Sequence, residues 1–301
     1  MRDFLQHSEE LFVNSCFNQA LCGAKAAPTP PDVGDEYSTY RRTLAIIHPM
    51  NEALTILEIA FEDLEASKLL LQNNHYPQSI FYFQQAVEKT TKSIGLSQGF
   101  LKKEDLQIKI RHNTLKIFKK AIEFASIPDE ILKNLSDDFN LEKEFNEVQS
   151  FAKEVDIELL MPTYISQIED YKSTDRKQAI DIPKLHGKQD YLNLIDSFNI
   201  DIDEIENIRQ KPEDDDFFRI QCEKLNNLMS SLPKFAEKVM ILHVMALIVI
   251  ELVNDVRYPN LQDFTRPSLI YDSNHVIVKN LKYLLDELDQ CIKLLLKFIM
   301  V

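Results

Sequence analysis

Residues 76–96 read YPQSIFYFQQAVEKTTKSIGL. Ile80, Phe83, Val87 and Ile94 recur at helical spacing, so the stretch is a helix with one apolar side. Pro77 suits its first turn, where no backbone N–H is needed, and Gly99 marks its end. Phe81, Gln85, Glu88 and Lys92 fall at i, i+4, i+7 and i+11 and share a face. Gln84 and Glu88, Gln85 and Lys89, and Glu88 and Lys92 are i,i+4 neighbours. Amides beside paired charges fit either a hydrogen-bonded seam around a polar pocket or a solvated face of ion pairs.

Working outward, Leu54, Leu57, Phe61, Leu64 and Leu71 make one stripe of a preceding helix, which Asn73-Asn74-His75-Tyr76 breaks. A third helix follows His112 and carries Leu115, Ile117, Phe118, Ile122 and Phe124. Residues 125–232 are helical but weakly periodic. Pro128, Pro162, Pro183, Pro212 and Pro233 punctuate them. Val239–Val253, VMILHVMALIVIELV, is shorter than the roughly 20 apolar residues of a membrane span. It reads as the central helix of a bundle, starting after Pro233 and ending near Asn254. The last helix begins at Ser273 or Asn274, either able to cap it. Its stripe of Val278, Leu281, Leu285, Leu288, Ile292, Leu295 and Ile299 packs on neighbouring helices of the same domain.

Composition agrees. Of 301 residues only 5 are Gly, which disfavours turn-rich β-sandwiches and glycine-rich phosphate loops. The fold class expected is all-α, an antiparallel up-and-down bundle with a helical insertion. The boundaries expected are 1–50, an N-terminal extension; 51–125, the first part of the bundle; 126–232, the insertion; and 233–301, its second part. Pro28, Pro30 and Pro31 make 23–39 a linker, and Met50, just before the periodic sequence, is an alternative translation start.

The net charge of −14 excludes a whole-surface grip on nucleic acid and leaves room only for a local basic pocket. Cys16, Cys22, Cys222 and Cys291 show neither CxxC nor zinc spacing, which points to reduced thiols in a cytoplasm and no metal site. The acidic run 199–216 lacks the glycine and ligand alternation of a calcium loop and reads as a solvated face. His243, within the apolar helix, is a core residue, and His75 is turn surface.

FEDLEASKLL at 61–70, then Tyr76-Pro77, then IFYFQQAVEKTTKSIGL resembles the HEPN family of helical nucleotide- and nucleic-acid-associated domains. Asp63, Leu64, Ala66, Tyr76, Phe83, Gln84, Gln85, Ala86, Glu88, Lys89 and Lys92 occupy the family's motif positions. His112 and Leu115 match the start of its third helix, and Arg257, Tyr258 and Pro259 match a late Arg-Tyr-Pro. The resemblance covers 52–125 and 233–300 and implies one prokaryotic bundle interrupted by the insertion.

Active members of the family are metal-independent endoribonucleases with an Arg-x(4–6)-His signature, often toxins paired with a nucleotidyltransferase antitoxin. There the imidazole takes the proton of a ribose 2′-hydroxyl and the guanidinium stabilises the attacked phosphate. Here the positions that follow Arg257 at that spacing hold Gln262, Asp263 and Phe264. The resemblance therefore implies a module that binds nucleotide or RNA, or a nucleotidyltransferase-like partner, without the usual dyad and without a cofactor. Arg257, Lys89 and Lys92 would meet phosphates, Gln85 would read a base or hold the pocket, and Glu88 and Tyr258 would line it. Two rivals stand beside it. One is a ribonuclease using Arg257 with His112 as a relocated base. The other is a structural protein–protein module or homodimer, whose polar seam would be consumed by internal bonds.

Overall fold

The computed structural model describes residues 52–106, 110, 113–124, 146–147, 150, 156–173, 184–197, 208–213, 216–250, 252 and 266–299. Among them every regular element is helical and there is no strand. The fold class is all-α.

Helices α1 (Glu52–Gln72) and α2 (Tyr76–Ser97) form the hairpin on which the rest is built. The turn is closed by backbone chemistry. Asn74 adopts a left-handed φ of 60°, the Asn74 N–H bonds to Leu71 O at 3.1 Å, and the His75 N–H reaches Leu70 O at 2.9 Å. That is a Schellman cap, with asparagine in the place glycine usually holds. Pro77 then opens α2.

Small residues at heptad spacing set how closely the two helices approach. Ala53, Ala60 and Ser67 on α1, and Ser79, Ala86 and Ser93 on α2, are all essentially inaccessible. Hydrogen bonds fix the register at both ends. Near the turn, Ser67 Oγ donates to Ser79 O at 2.7 Å and Ser79 Oγ donates to Ser67 O at 2.8 Å. At the far end Ser93 Oγ donates to Ala53 O at 2.7 Å. This register brings Ala60 opposite Ala86.

Gly99, at φ 72°, turns the chain out of α2, and the Leu101 N–H returns to Gly95 O at 2.9 Å. A Cβ on Gly95 would lie 2.3 Å from Leu101 Cδ1, so a larger residue here would force the Leu101 side chain to shift. After the single turn α3 (Lys103–Asp105) comes α4 (Leu115–Phe124), which buries Leu115, Ile117, Phe118 and Ala121.

Helix α5 (Ile157–Lys172) is capped by Asp156, whose Oδ1 accepts the Glu158 N–H at 2.9 Å. Pro162, expected to break the chain, sits inside this helix. Its neighbours Leu160, Met161 and Tyr164 are buried, and that packing offsets the lost backbone bond. Although α5 lies within the stretch expected to be inserted, its apolar face belongs to the main core.

Helices α6 (Lys188–Ser197) and α7 (Asp216–Ile250) follow. Helix α7 begins well before Pro233, where the sequence pattern placed its start. At 35 residues it is about 52 Å long. Its two halves do different work. From Val239 to Val249 every residue is buried in the main core, as expected of the central helix. Before Pro233, Phe218, Cys222 and Leu225 pack instead with Leu185 and Leu192 in a small apolar cluster separate from that core. Packing on both sides carries the helix through the proline.

The short α8 (Pro267–Ile270) precedes α9 (Val276–Ile299). Helix α9 starts two to three residues later than the sequence suggested. Asp272 Oδ1 accepts the Asn274 N–H at 2.7 Å, which takes the chain round the turn. His275 then caps α9, its Nδ1 accepting the Ile277 N–H at 3.3 Å. The stripe from Val278 to Leu295 is buried against α1, α2, α5 and α7 of the same chain. No helix among the described residues is long and apolar enough to cross a membrane.

Candidate functional site

Helix α2 is enclosed on most sides, contacting α1, α4, α7, α8 and α9. Its polar side chains are therefore drawn into the bundle. Gln84 and Glu88 are buried, and Lys92 is only 15% exposed. Ion pairs settle the charges. Lys89 Nζ donates to the Asp63 carboxylate across the hairpin and to Gln85 Oε1 at 3.5 Å. Lys92 Nζ donates to Glu88 Oε1 at 2.5 Å, one turn back on the same helix. The Glu-before-Lys order is the favourable one for such a pair. Both lysines thus face carboxylates.

Two amide atoms are left over. Gln84 Oε1 and Gln85 Nε2 are buried and have no hydrogen-bond partner among the described residues. A buried polar atom without a partner costs on the order of 1–3 kcal/mol. The stripe is therefore a charge-balanced seam with one spare acceptor and one spare donor. Gln85, Glu88, Lys89 and Lys92 are brought together here. His112, Arg257 and Tyr258 lie outside the described residues.

Helix α4 meets α7 at His243, whose ring stacks on Phe118 with centroids 4.4 Å apart. Burial lowers the His243 pKa to about 4, so the imidazole is neutral at ordinary pH. It is a core histidine, as its setting in the apolar stretch suggested. His75 is exposed and precedes α2.

A second polar group, which periodicity did not single out, lies where α5, α7 and α9 meet. Glu287 on α9 is 3% exposed and takes two cations, Lys172 Nζ at 2.8 Å and Lys238 Nζ at 3.1 Å. Lys238 also reaches Gln290 Oε1 at 3.0 Å and Glu237 Oε1 at 3.3 Å. Burial opposes the Lys238 charge, but the Glu287 and Glu237 carboxylates outweigh it and raise the pKa. Burial pushes the Cys291 thiol up to about 12, so it is protonated and unreactive. Burial likewise works against Lys172, and its bonds to Glu287 and Glu169 overcome that and hold it charged. Tyr283 closes the group by donating to Glu169 Oε1 at 2.5 Å. The signal was present in sequence as charges inside apolar stripes, Lys238 before Val239 and Glu287 between Leu285 and Leu288. Spacing alone does not pair residues on three different helices. Among the described residues no cluster of His, Cys, Asp and Glu could hold a metal ion.

Comparison with known proteins bears on the same hairpin. The family model described as the HEPN domain matches residues 53–161, from the first turn of α1 into α5. A Methanocaldococcus jannaschii protein named as a putative toxin is 35% identical over 77 residues, which are 26% of this chain and 46% of that protein. The chain thus matches less than half the length of this curated relative. No solved structure matches. The matched residues include the serine-clasped hairpin and its Gln-Gln-Ala-x-Glu-Lys seam, so residues 53–161 are similar to a HEPN domain.

Proposed function

We propose that this chain is a toxin-like HEPN module that acts by binding a protein partner, a nucleotidyltransferase-type antitoxin, in a nucleic-acid-related toxin–antitoxin or defence pair. The observation that carries this reading is the neutralisation of the α2 lysines. Lys89 and Lys92 are engaged by Asp63 and Glu88. Gripping a phosphate would require breaking these part-buried pairs and leaving a carboxylate uncompensated. The net charge of −14 adds a repulsive field against a long polyanion. The toxin name of the M. jannaschii relative supports the setting. In this reading the seam holds the hairpin in register and the outer faces of the bundle meet the partner.

The rival is a metal-independent ribonuclease built on Arg257 and His112. One paired experiment separates them. Full-length chain is incubated with RNA in EDTA, beside Arg257→Ala and His112→Ala. The same chain is co-expressed with nucleotidyltransferase-type proteins from its own genome and analysed by size exclusion. The expected result is intact RNA and a stoichiometric complex with one of them. RNA cut to 2′,3′-cyclic phosphate ends by wild type, and spared by both variants, would make the protein a nuclease. Failure to form any complex would remove the partner reading.

A further inference from the structure

Far along the chain from the α2 seam, the N-terminal half of α7 lines a cavity of 390 Å³. One wall is a single helical stripe, Arg219, Cys222, Glu223, Asn226 and Asn227, at i, i+3, i+4, i+7 and i+8. The other wall is the chain segment 184–187, which is held in place by specific bonds. Asn226 clasps the Leu185 backbone from both ends, its Oδ1 accepting the N–H at 2.9 Å and its Nδ2 donating to the carbonyl at 2.8 Å. Cys222 Sγ donates to Gly187 O at 3.5 Å. Leu185 is buried beneath the clasp, while Lys184 and His186 on either side are exposed and face the cavity.

The charges around this cavity differ from those of the α2 seam. Lys184 has no ion-pair partner among the described residues. Arg219 has one, Asp216, held through Nε at 3.1 Å with both side chains more than two-thirds exposed. Such a surface pair contributes under about 1 kcal/mol and exchanges readily for a better acceptor. The guanidinium keeps a planar fork of further N–H groups. On the same wall as Arg219, one turn along α7, stands one carboxylate, Glu223, also unpaired among the described residues and exposed.

We propose that this cavity binds a small phosphorylated ligand bearing hydroxyl groups, a sugar phosphate or mononucleotide. The phosphate lies between Arg219 and Lys184, and Glu223 accepts from the ligand hydroxyls. The volume falls within the range of small-molecule sites. A carboxylate on the rim would repel a bare anion, and it suits a ligand that offers donors at its other end. The small size of the cavity and the acidic field of the whole chain disfavour a polymer. This site is independent of the partner reading above, because it uses none of the α2 residues.

The test is calorimetric titration of the full chain with AMP, ribose 5-phosphate, adenosine and inorganic phosphate. AMP or ribose 5-phosphate is expected to bind, and adenosine and inorganic phosphate to bind far more weakly. Arg219→Ala and Lys184→Ala should each weaken binding at least about tenfold, an easily resolved change in Kd. Glu223→Gln should weaken the sugar phosphate without strengthening inorganic phosphate to its level. Lys282→Ala, at an exposed lysine of α9 away from the cavity, should change nothing. All three cavity residues are exposed, so circular dichroism of the variants should match wild type. Absence of binding by both sugar phosphates, binding of inorganic phosphate as tight as theirs, or binding unaffected by Arg219→Ala would each overturn the proposal.

Discussion

His243 shows how one buried titratable group couples the fold to pH. In the unfolded chain its imidazole takes up a proton near pH 6.5; stacked on Phe118 in the core, it does so only near pH 4. Between those values the unfolded state binds more protons, so stability falls as pH falls through this window. At full extent the effect is about 3 kcal/mol, and between pH 7.5 and pH 5 it amounts to about 2 kcal/mol. Urea unfolding of wild type and His243→Leu at both pH values measures it. The stability of wild type relative to the variant should drop by about that amount at the lower pH. A difference that stays constant with pH would mean that the histidine is solvated in the native state. At this scale the sequence was informative about the setting of His243 and about the pairing of Glu88 with Lys92. It was silent on Asp63 as the partner of Lys89, because that contact crosses between helices.

At the level of elements the α1–α2 hairpin was the most legible part of the chain. Its apolar stripes, the Asn73-Asn74 break and Pro77 all fell where the structure has them. What periodicity missed is the interface itself. Ala53, Ala60 and Ser67 opposite Ser93, Ala86 and Ser79 do not stand out in a hydrophobic pattern. They nevertheless decide how near the helices lie, and the serine clasps fix the register. The same limit hid the reach of α5 and α7 across their prolines, where tertiary burial overrides a local breaker. Close approach gives the interface a specific sensitivity. Ala86→Leu adds three carbons where nothing is exposed. The helix propensities of the two residues are similar, so the cost is overpacking, about 1–3 kcal/mol. Thermal unfolding of this variant should show a lowered Tm, while a change to Leu at exposed Gln78 should leave it nearly unchanged. Equal tolerance at both positions would mean that the helices can separate without loss.

On the scale of the whole molecule, α7 joins two apolar clusters that differ in size among the described residues. Its C-terminal half lies in the main core with α1, α2, α4, α5 and α9, and there the Lys172–Glu287–Lys238 group ties three helices together. Among the described residues its N-terminal half is supported by the buried Leu185, Leu192, Phe218, Cys222 and Leu225 and by the Asn226 clasp. Pro233 separates the halves and contributes no backbone N–H, so the helical ladder is thinnest where the packing changes over. A small cluster reached through such a joint should open without the main core opening. Native-state hydrogen exchange across α7 tests this. Amides from Val239 to Val249 should exchange only with global unfolding, while those from Phe218 to Asn227 should exchange at least about tenfold faster through local opening. A saturating sugar phosphate should slow the second group and leave the first unchanged, since it binds only the smaller unit. Uniform protection from Asp216 to Ile250 would instead mean that the helix and both clusters fold as one cooperative body, with Pro233 fully compensated by its neighbours.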